Sequence, residues 1–231
     1  MHLVKPHLDI GLYANRRDAQ LTFWGQTVGL PFDQMVKLGG GVQQHRFLAL
    51  GSPLATIVKI NHARDAIANA AKTGLTRLSI ARPDLTATKD LTDADGNRVT
   101  LVPSGQDGID GVAIDLAVND IPTSAAFYTR VLGMASVAAT TLRLGGTLLR
   151  LLPARTRIEP SAMPGRGYRY LTMQVFDCDA EHATALANGA AEGRAPHNYG
   201  STARVSFIRD PDGTWIEISQ RASVTGRALP V

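Results

Sequence analysis

The side chains able to do chemistry are few and widely spread. His7 and Asp9 stand two apart in a stretch whose apolar residues, Leu8, Ile10 and Leu12, alternate. On a strand, residues two apart share a face. The pair can therefore offer an imidazole and a carboxylate to a metal ion, with His45 or His62 as a third donor. A histidine that merely opens a strand, and another in a surface loop, would give the same spacing. Lys59 lies between Val58 and Ile60. If those two face a helix, Lys59 faces the other way, together with Ile57 and Asn61. Cys178 is the single cysteine, which excludes an internal disulfide and a Cys-cluster zinc site. Nothing cationic adjoins it in sequence, so it is expected to be inert.

Other motifs are excluded by context. Gly39-Gly40-Gly41 precedes a strand, so it lacks the helix N-terminus that a phosphate loop uses. No Gly-x-Ser-x-Gly elbow is present. Asp210-Pro211-Asp212-Gly213 looks like part of a calcium loop, but the rest of that loop is missing, and it reads as a turn.

The chain has 231 residues, enough for one large or two small domains. With 44% hydrophobic and 19% charged residues it is an ordinary globular chain. The net charge of +4 is scattered and aromatics make up only 6%, which argues against nucleic acid as a partner. A mildly cationic surface or pocket that favours small anions is the better reading. No apolar run reaches about 18 residues, so no membrane span is expected. Met1–Leu8 lacks the charged and apolar segments of a signal peptide, and the lone cysteine fits a reducing compartment, so a cytoplasmic location is expected. The expected assembly is a monomer or homodimer.

The elements that must position these groups repeat. Shifted by 104 residues, Leu8, Ile10 and Leu12 fall on Val112, Ile114 and Leu116, which predicts a strand with one apolar face. Leu21, Trp24 and Val28 fall on Ala125, Tyr128 and Leu132 at helical spacing. Asn15 and Asp120 are the expected N-caps, and Gly29 and Gly133 the expected ends. Strands follow at about Phe32–Leu38, His45–Leu50 and Thr56–Ile60, with Gly39–Gly41 and Gly51-Ser52-Pro53 as turns. In the second half they follow at about Ser136–Leu144 and Leu148–Leu152, turning at Gly145-Gly146. A further strand-rich unit opens near Leu75–Ala81 and another near Arg169–Val175. These units close through Asp93–Asn97 into Arg98–Val102, and through Asp210–Thr214 into Trp215–Ser219. A helix is predicted over about Asp179–Glu192. Asp84–Lys89 is too short for its counterpart, so the second unit reads as trimmed. The resulting division is 1–103, a linker over 104–111, 112–222, and a tail from 223.

Four such units resemble the glyoxalase/bleomycin-resistance/dioxygenase superfamily, the vicinal oxygen chelate fold. The likeness is carried by "DLAVNDIPTSAAFYTRVLGM" (115–134) with "IRDPDGTWIEISQ" (208–220), and by "DIGLYANRRDAQLTFWGQTVGLPF" (9–32) with "LTDADGNRVTLV" (91–102). The resemblance implies an α+β fold. Two domains are each built of paired βαβββ modules in a curled mixed sheet, with helices outside and a cavity on the concave face. The superfamily includes lyases, isomerases, dioxygenases and binding proteins, so the fold does not settle the activity.

Metal enzymes of this fold place His, Gln or Glu at four concave positions per domain. Projected here, those positions are Asp9, Lys59, Arg77 and Thr100 in the first half, and Ala113, Arg150, Tyr170 and Glu217 in the second. Ala113 cannot ligate, the three cations repel a metal ion, and lone Glu217 cannot hold one. No cofactor and no conventional metal site are expected. In this reading Lys59 and Arg77 stand in for the metal and stabilise a carboxylate or enolate. Asp9, His45 or His7 is then the general base. Substrate contacts are expected from His7, Tyr13, Asn61, His62, Arg150, Tyr170 and Glu217. The alternatives are plain ion pairs, Asp9 with Lys59 or Arg77 and Arg150 with Glu217. Three functions remain open: a lyase or isomerase acting by proton transfer on a small, oxygen-rich, anionic molecule; a non-catalytic binding or resistance protein; and a metal-dependent lyase or ring-cleaving dioxygenase with an unconventional His7/Asp9 site. Aromatics turned inward, such as Tyr13, Trp24, Tyr168 and Tyr170, would mark a binder. Convergence of Asp9, Lys59 and a histidine would mark a catalyst.

Overall fold

The computed structural model describes residues 1–50, 52, 54–67 and 70–230. The expected turn residues Gly51 and Pro53 lie outside the described residues. The first module runs β1 (Leu3–Ala14), α1 (Arg17–Thr22), a π-helical turn (Phe23–Thr27), β2 (Phe32–Gly39), β3 (Val42–Leu48) and β4 (Ile57–Ala63). The second is β5 (Leu75–Arg82), β6 (Lys89–Thr92) and β7 (Arg98–Pro103), without a helix between β5 and β6. The third is β8 (Val112–Val118), α2 (Ile121–Leu132), β9 (Ala135–Ala138), β10 (Thr141–Leu144) and β11 (Thr147–Pro153). The fourth is β12 (Gly167–Val175), α3 (Cys178–Ala187), β13 (Ala191–Tyr199), β14 (Ala203–Arg209) and β15 (Trp215–Arg221), followed by a short α4 (Ala222–Thr225).

Sequence order and sheet order differ. The first and fourth modules share an eight-stranded sheet, β13-β14-β15-β12-β1-β4-β3-β2, here called sheet A. The second and third share the seven-stranded sheet B, β6-β7-β5-β8-β11-β10-β9. Antiparallel pairs β1–β12 and β5–β8 join the modules at each centre. Strand pairing therefore crosses the division between 1–103 and 112–222. Modules adjacent in sequence are tied instead through helix and turn. Gln20 of α1 donates to Asp93 at 2.8 Å, and Tyr128 of α2 donates to Asp210 at 2.8 Å. Both aspartates cap their turns alike. Asp93 accepts from the Asp95 and Asn97 amides, and Asp210 from the Asp212 and Thr214 amides.

The repeated apolar set fills the core on the convex, helix-bearing faces. Leu8, Ile10, Leu12, Ile114 and Leu116 are completely buried, and Val112 nearly so. Each such side chain contributes on the order of 1.5–3 kcal/mol. Asp120 caps α2 by accepting from the Thr123 amide at 2.8 Å, and Gly133 (φ 72°) ends it. Three local expectations are corrected. Asn15 does not cap α1, because its amide is spent on the Ala63 and Asp65 carbonyls and its carbonyl oxygen on the Ile67 amide. α3 stops at Ala187, since Gly189 takes φ 93° and the chain from Ala191 joins sheet A as an edge strand. Ser136–Leu144 is two strands with a turn between them.

Candidate functional site

Alternation delivers one set of side chains to the concave face of sheet A. These are Asp9, Gly11 and Tyr13 on β1, Lys59 and Asn61 on β4, Tyr170, Thr172 and Gln174 on β12, and Trp215, Glu217, Ser219 and Arg221 on β15. Over them lies a cavity of about 840 Å³. Tyr13, Tyr170, Tyr199, Phe207 and Trp215 form its aromatic wall, and among the described residues Glu217 is the one carboxylate in its lining.

Behind Glu217 sits Lys59, 1% exposed. Its ammonium donates to Thr172 Oγ1 at 2.7 Å and Glu217 Oε1 at 3.2 Å, and lies 3.9 Å from Asp9 Oδ2. Burial lowers the Lys59 pKa to about 8, although Glu217 and Asp9 pull it upward. Asp9 is fully buried and held by Lys5 at 2.5 Å, by the Ile57 amide at 2.9 Å and more weakly by Gln174. Burial alone would raise its pKa. Lys5, Lys59 and Arg46 outweigh burial and hold it below the ordinary carboxylate value. A sealed, cation-clamped carboxylate is a poor proton acceptor, and this geometry suits Asp9 to the part of counter-ion better than to that of the expected base.

The Tyr170 ring lies over Gly11, where any Cβ would fall inside the ring. Its hydroxyl accepts from Asn61 at 2.9 Å and from Gln44 at 3.3 Å, while Asn61 also donates to the Leu12 carbonyl. Asn61 thus positions Tyr170 and does not itself line the cavity. Tyr13 lines it, with its pKa pushed up to about 12, chiefly by burial.

The other expected site residues are dispersed. A register shift between Leu3 and Leu8 breaks the alternation, and His7 accepts from the Gly146 amide of the β10–β11 turn at 3.2 Å. His7 and Asp9 therefore do not form a donor pair. His45 faces the convex side, in a groove with Leu21, Phe32, Met35 and Phe47. His62 borders a separate groove beside Arg17 and Lys37. No histidine joins Asp9 and Lys59, for His7, His45 and His62 each lie away from that pair. Trp24 is buried in the core and bonded to Gln20, and a second register shift puts Tyr168 among the convex core residues.

Arg77 and Arg150 belong to sheet B. Arg150 donates to Asp115 at 2.6 Å and lies near Ser79, while Arg77 reaches Thr100, Asp90 and Asp115. The expected Asp9–Arg77 cluster and Arg150–Glu217 pair are thus replaced by Lys59–Glu217 in one sheet and Arg150–Asp115 in the other. Register confirms that Lys59 and Arg150 are equivalent, since Lys59 stands opposite Gly11 and Arg150 opposite Asp115, 104 residues on. It also moves the third position two residues along, to Thr172 beside Asp9 in sheet A and Ser79 beside Ala113 in sheet B. At one end of sheet B, Ile109 from the 104–111 segment packs with Ala81, Val102, Ala113 and Leu148 and fills the concave face.

Thr172, Gln174 and Lys5 escaped the sequence reading. The first two had a visible signal, polar residues at every second place between Leu171, Met173 and Val175. Lys5 had one too, since it stands four residues before Asp9 and shares its parity on a strand.

The metal of the fold's enzymes does not fit here. The four positions of sheet A hold Asp9, Lys59, Thr172 and Glu217, and the Lys59 ammonium takes the place toward which the oxygens point. Among the described residues no three His, Cys, Asp or Glu side chains converge on one point. No helix there is long and apolar enough to cross a membrane.

The model of the glyoxalase/bleomycin resistance protein/dioxygenase superfamily matches residues 108–218. Glyoxalase I from Zea mays is similar in fold at 15% identity, with a TM-score of 0.74 over 95% of this chain and 92% of that one. A putative dioxygenase from Bacillus subtilis is similar at 13% identity, with a TM-score of 0.66 over 95% of this chain and 86% of that one. No curated protein matches. These likenesses establish the fold, two curled mixed sheets with helices on their outer faces, and leave the chemistry to the residues of the site. The match places residues 108–218 in the glyoxalase/bleomycin resistance protein/dioxygenase superfamily, and the chain as a whole shares that fold.

Proposed function

We propose that this protein captures one small, oxygen-rich molecule in the cavity of sheet A, as a binding protein of the resistance type. The reading is carried by which side chains face the cavity. Five aromatic rings do, whereas Asp9 is sealed beneath the floor and every candidate histidine lies elsewhere. Lys59 supplies fixed positive charge under the floor without touching the ligand. It is a positioning residue that holds Glu217.

A second reading, lyase or isomerase chemistry by proton transfer, has one observation in its favour. Glu217 lines the cavity, 11% exposed, with Lys59 fixing one of its oxygens. It could take a proton from carbon beside a ligand carbonyl and return it to the enolate. Calorimetry with small aromatic and aliphatic oxygen compounds tests capture. Binding at one molecule per chain is expected, and Ala203→Trp, which fills the cavity, should abolish it. Binding that survives Ala203→Trp refutes the assignment to this cavity. Proton transfer is read separately, as deuterium uptake from heavy water into the bound compound. Uptake that is lost in Glu217→Gln would replace capture by catalysis.

A further inference from the structure

The cavity's charge is one-sided. Lys37, Arg194, Arg209 and Arg221 line it, whereas Glu217, its one carboxylate among the described residues, is already engaged by Lys59. Arg209 is the best prepared of the four. Its guanidinium stacks 3.8 Å above the Trp215 ring, and its Nε is buried without a hydrogen-bond partner among the described residues. The ring beneath it is itself fixed. Trp215 Nε1 donates to the Ser161 carbonyl at 2.8 Å, and the indole lies against Gly193, where a Cβ would approach to 2.7 Å.

Leaving a buried N–H unpaired costs free energy, so such a group is normally satisfied by protein, water or ligand. Arg209, with this N–H unpaired among the described residues and its guanidinium stacked on Trp215, lines a positively charged, aromatic-walled space. We propose that the cavity takes an aromatic carboxylate, with the carboxylate on Arg209 and the ring between Tyr170, Phe207 and Trp215. The Nε edge of a guanidinium presents two parallel donors that match a carboxylate. Phe207 stands edge-on to both Tyr170 and Trp215, at centroid distances of 6.4 and 6.0 Å, which shapes the wall for a flat body. Arg221, Arg194 and Lys37 reinforce the field without needing direct contact.

This inference rests on capture in the sheet A cavity, and one experiment separates the two. The full chain is titrated by calorimetry with 2-naphthoate and with its neutral analogue 2-naphthamide, as wild type and as Arg209→Gln. A charge-assisted pair predicts that naphthoate binds at least about tenfold more tightly than naphthamide. Arg209→Gln should weaken naphthoate by about the same factor and weaken naphthamide by much less, so that the preference for the charged probe is lost. Equal binding of the two probes by the wild type, or naphthoate affinity unaffected by Arg209→Gln, overturns the carboxylate assignment while capture stands. Failure of both probes to bind overturns capture as well. Should Arg209→Gln not fold, the wild-type comparison of charged and neutral probe still decides.

Discussion

Replacing Lys59 by Met tests the buried ammonium directly. Methionine has a similar length and no charge. Asp9 keeps Lys5 at 2.5 Å and the Ile57 amide, and Glu217, 11% exposed, can turn to water, so the variant leaves no stranded buried charge. Burial lowers the Lys59 pKa from 10.5 to about 8 in the folded protein. Between those values the unfolded chain holds the proton and the folded chain does not, so this group makes stability rise with pH. Its cost is fully present below about pH 8 and has vanished above about pH 10.5. At about 1.4 kcal/mol per unit, the stability of wild type relative to Lys59→Met should rise by about 3 kcal/mol across the window, more than half of it by about pH 9.5. Urea unfolding of both proteins at several pH values from neutrality to pH 10 measures it, and subtracting the variant removes titrations common to both. A difference that stays flat would mean that the ammonium is solvated and that Lys59 does not occupy the centre of the site.

The remaining expectations concern packing and the second sheet. Gly11→Ala forces the Tyr170 ring aside and should cost about 1–3 kcal/mol in denaturant unfolding, with loss of cavity binding; retention of both would show that the ring is free to move. Arg150→Met breaks the partly exposed pair with Asp115 and a long contact to Ser79, so about 1 kcal/mol of stability and no change in ligand affinity are expected, and altered affinity would bring sheet B into the site. Cys178 is buried, with its pKa pushed up to about 11 by burial, so at pH 8 a thiol reagent should label it only as fast as the protein opens. Immediate labelling of the native protein would contradict that burial.

Much of this was legible in residue order because it depends on local periodicity. The 104-residue shift located two equivalent first strands, Asp120 announced its helix, and Asp93 and Asp210 announced two copies of one turn. Even the equivalence of Lys59 and Arg150 could be read, since both face away from an apolar helix side. Partner choice could not be read. A period-two pattern says which face a strand buries and nothing about which strand lies beside it. The opening strands of the second and fourth modules carry the same kind of signal, yet β1 pairs with β12 and β8 with β5. That choice separates Arg77 from Asp9 and brings Glu217 to Lys59. Irregular register was a second blind spot: from Leu3 to Leu8 strand β1 advances five residues against two on β12, which turns His7 away from Asp9, and a single extra residue on β12 turns Tyr168 away from Tyr170.

The two sheets show how a repeated frame comes to hold the large cavity over sheet A. Arg150 finds a carboxylate, Asp115, directly opposite it on the neighbouring strand, so its charge is neutralised in place and Ile109 can fill the adjoining space. The residue opposite Lys59 is Gly11, which offers neither charge nor bulk. Lys59 must then find its counter-charges sideways, in Asp9 and across β12 in Glu217, and the room above Gly11 goes to the Tyr170 ring. An aspartate at position 11 would therefore do two things together. It would pair with Lys59, releasing Glu217, and it would evict Tyr170 from the wall. Position 11 couples the electrostatics of the floor to the shape of the cavity, and a metal-binding side chain there would meet an ammonium already in place.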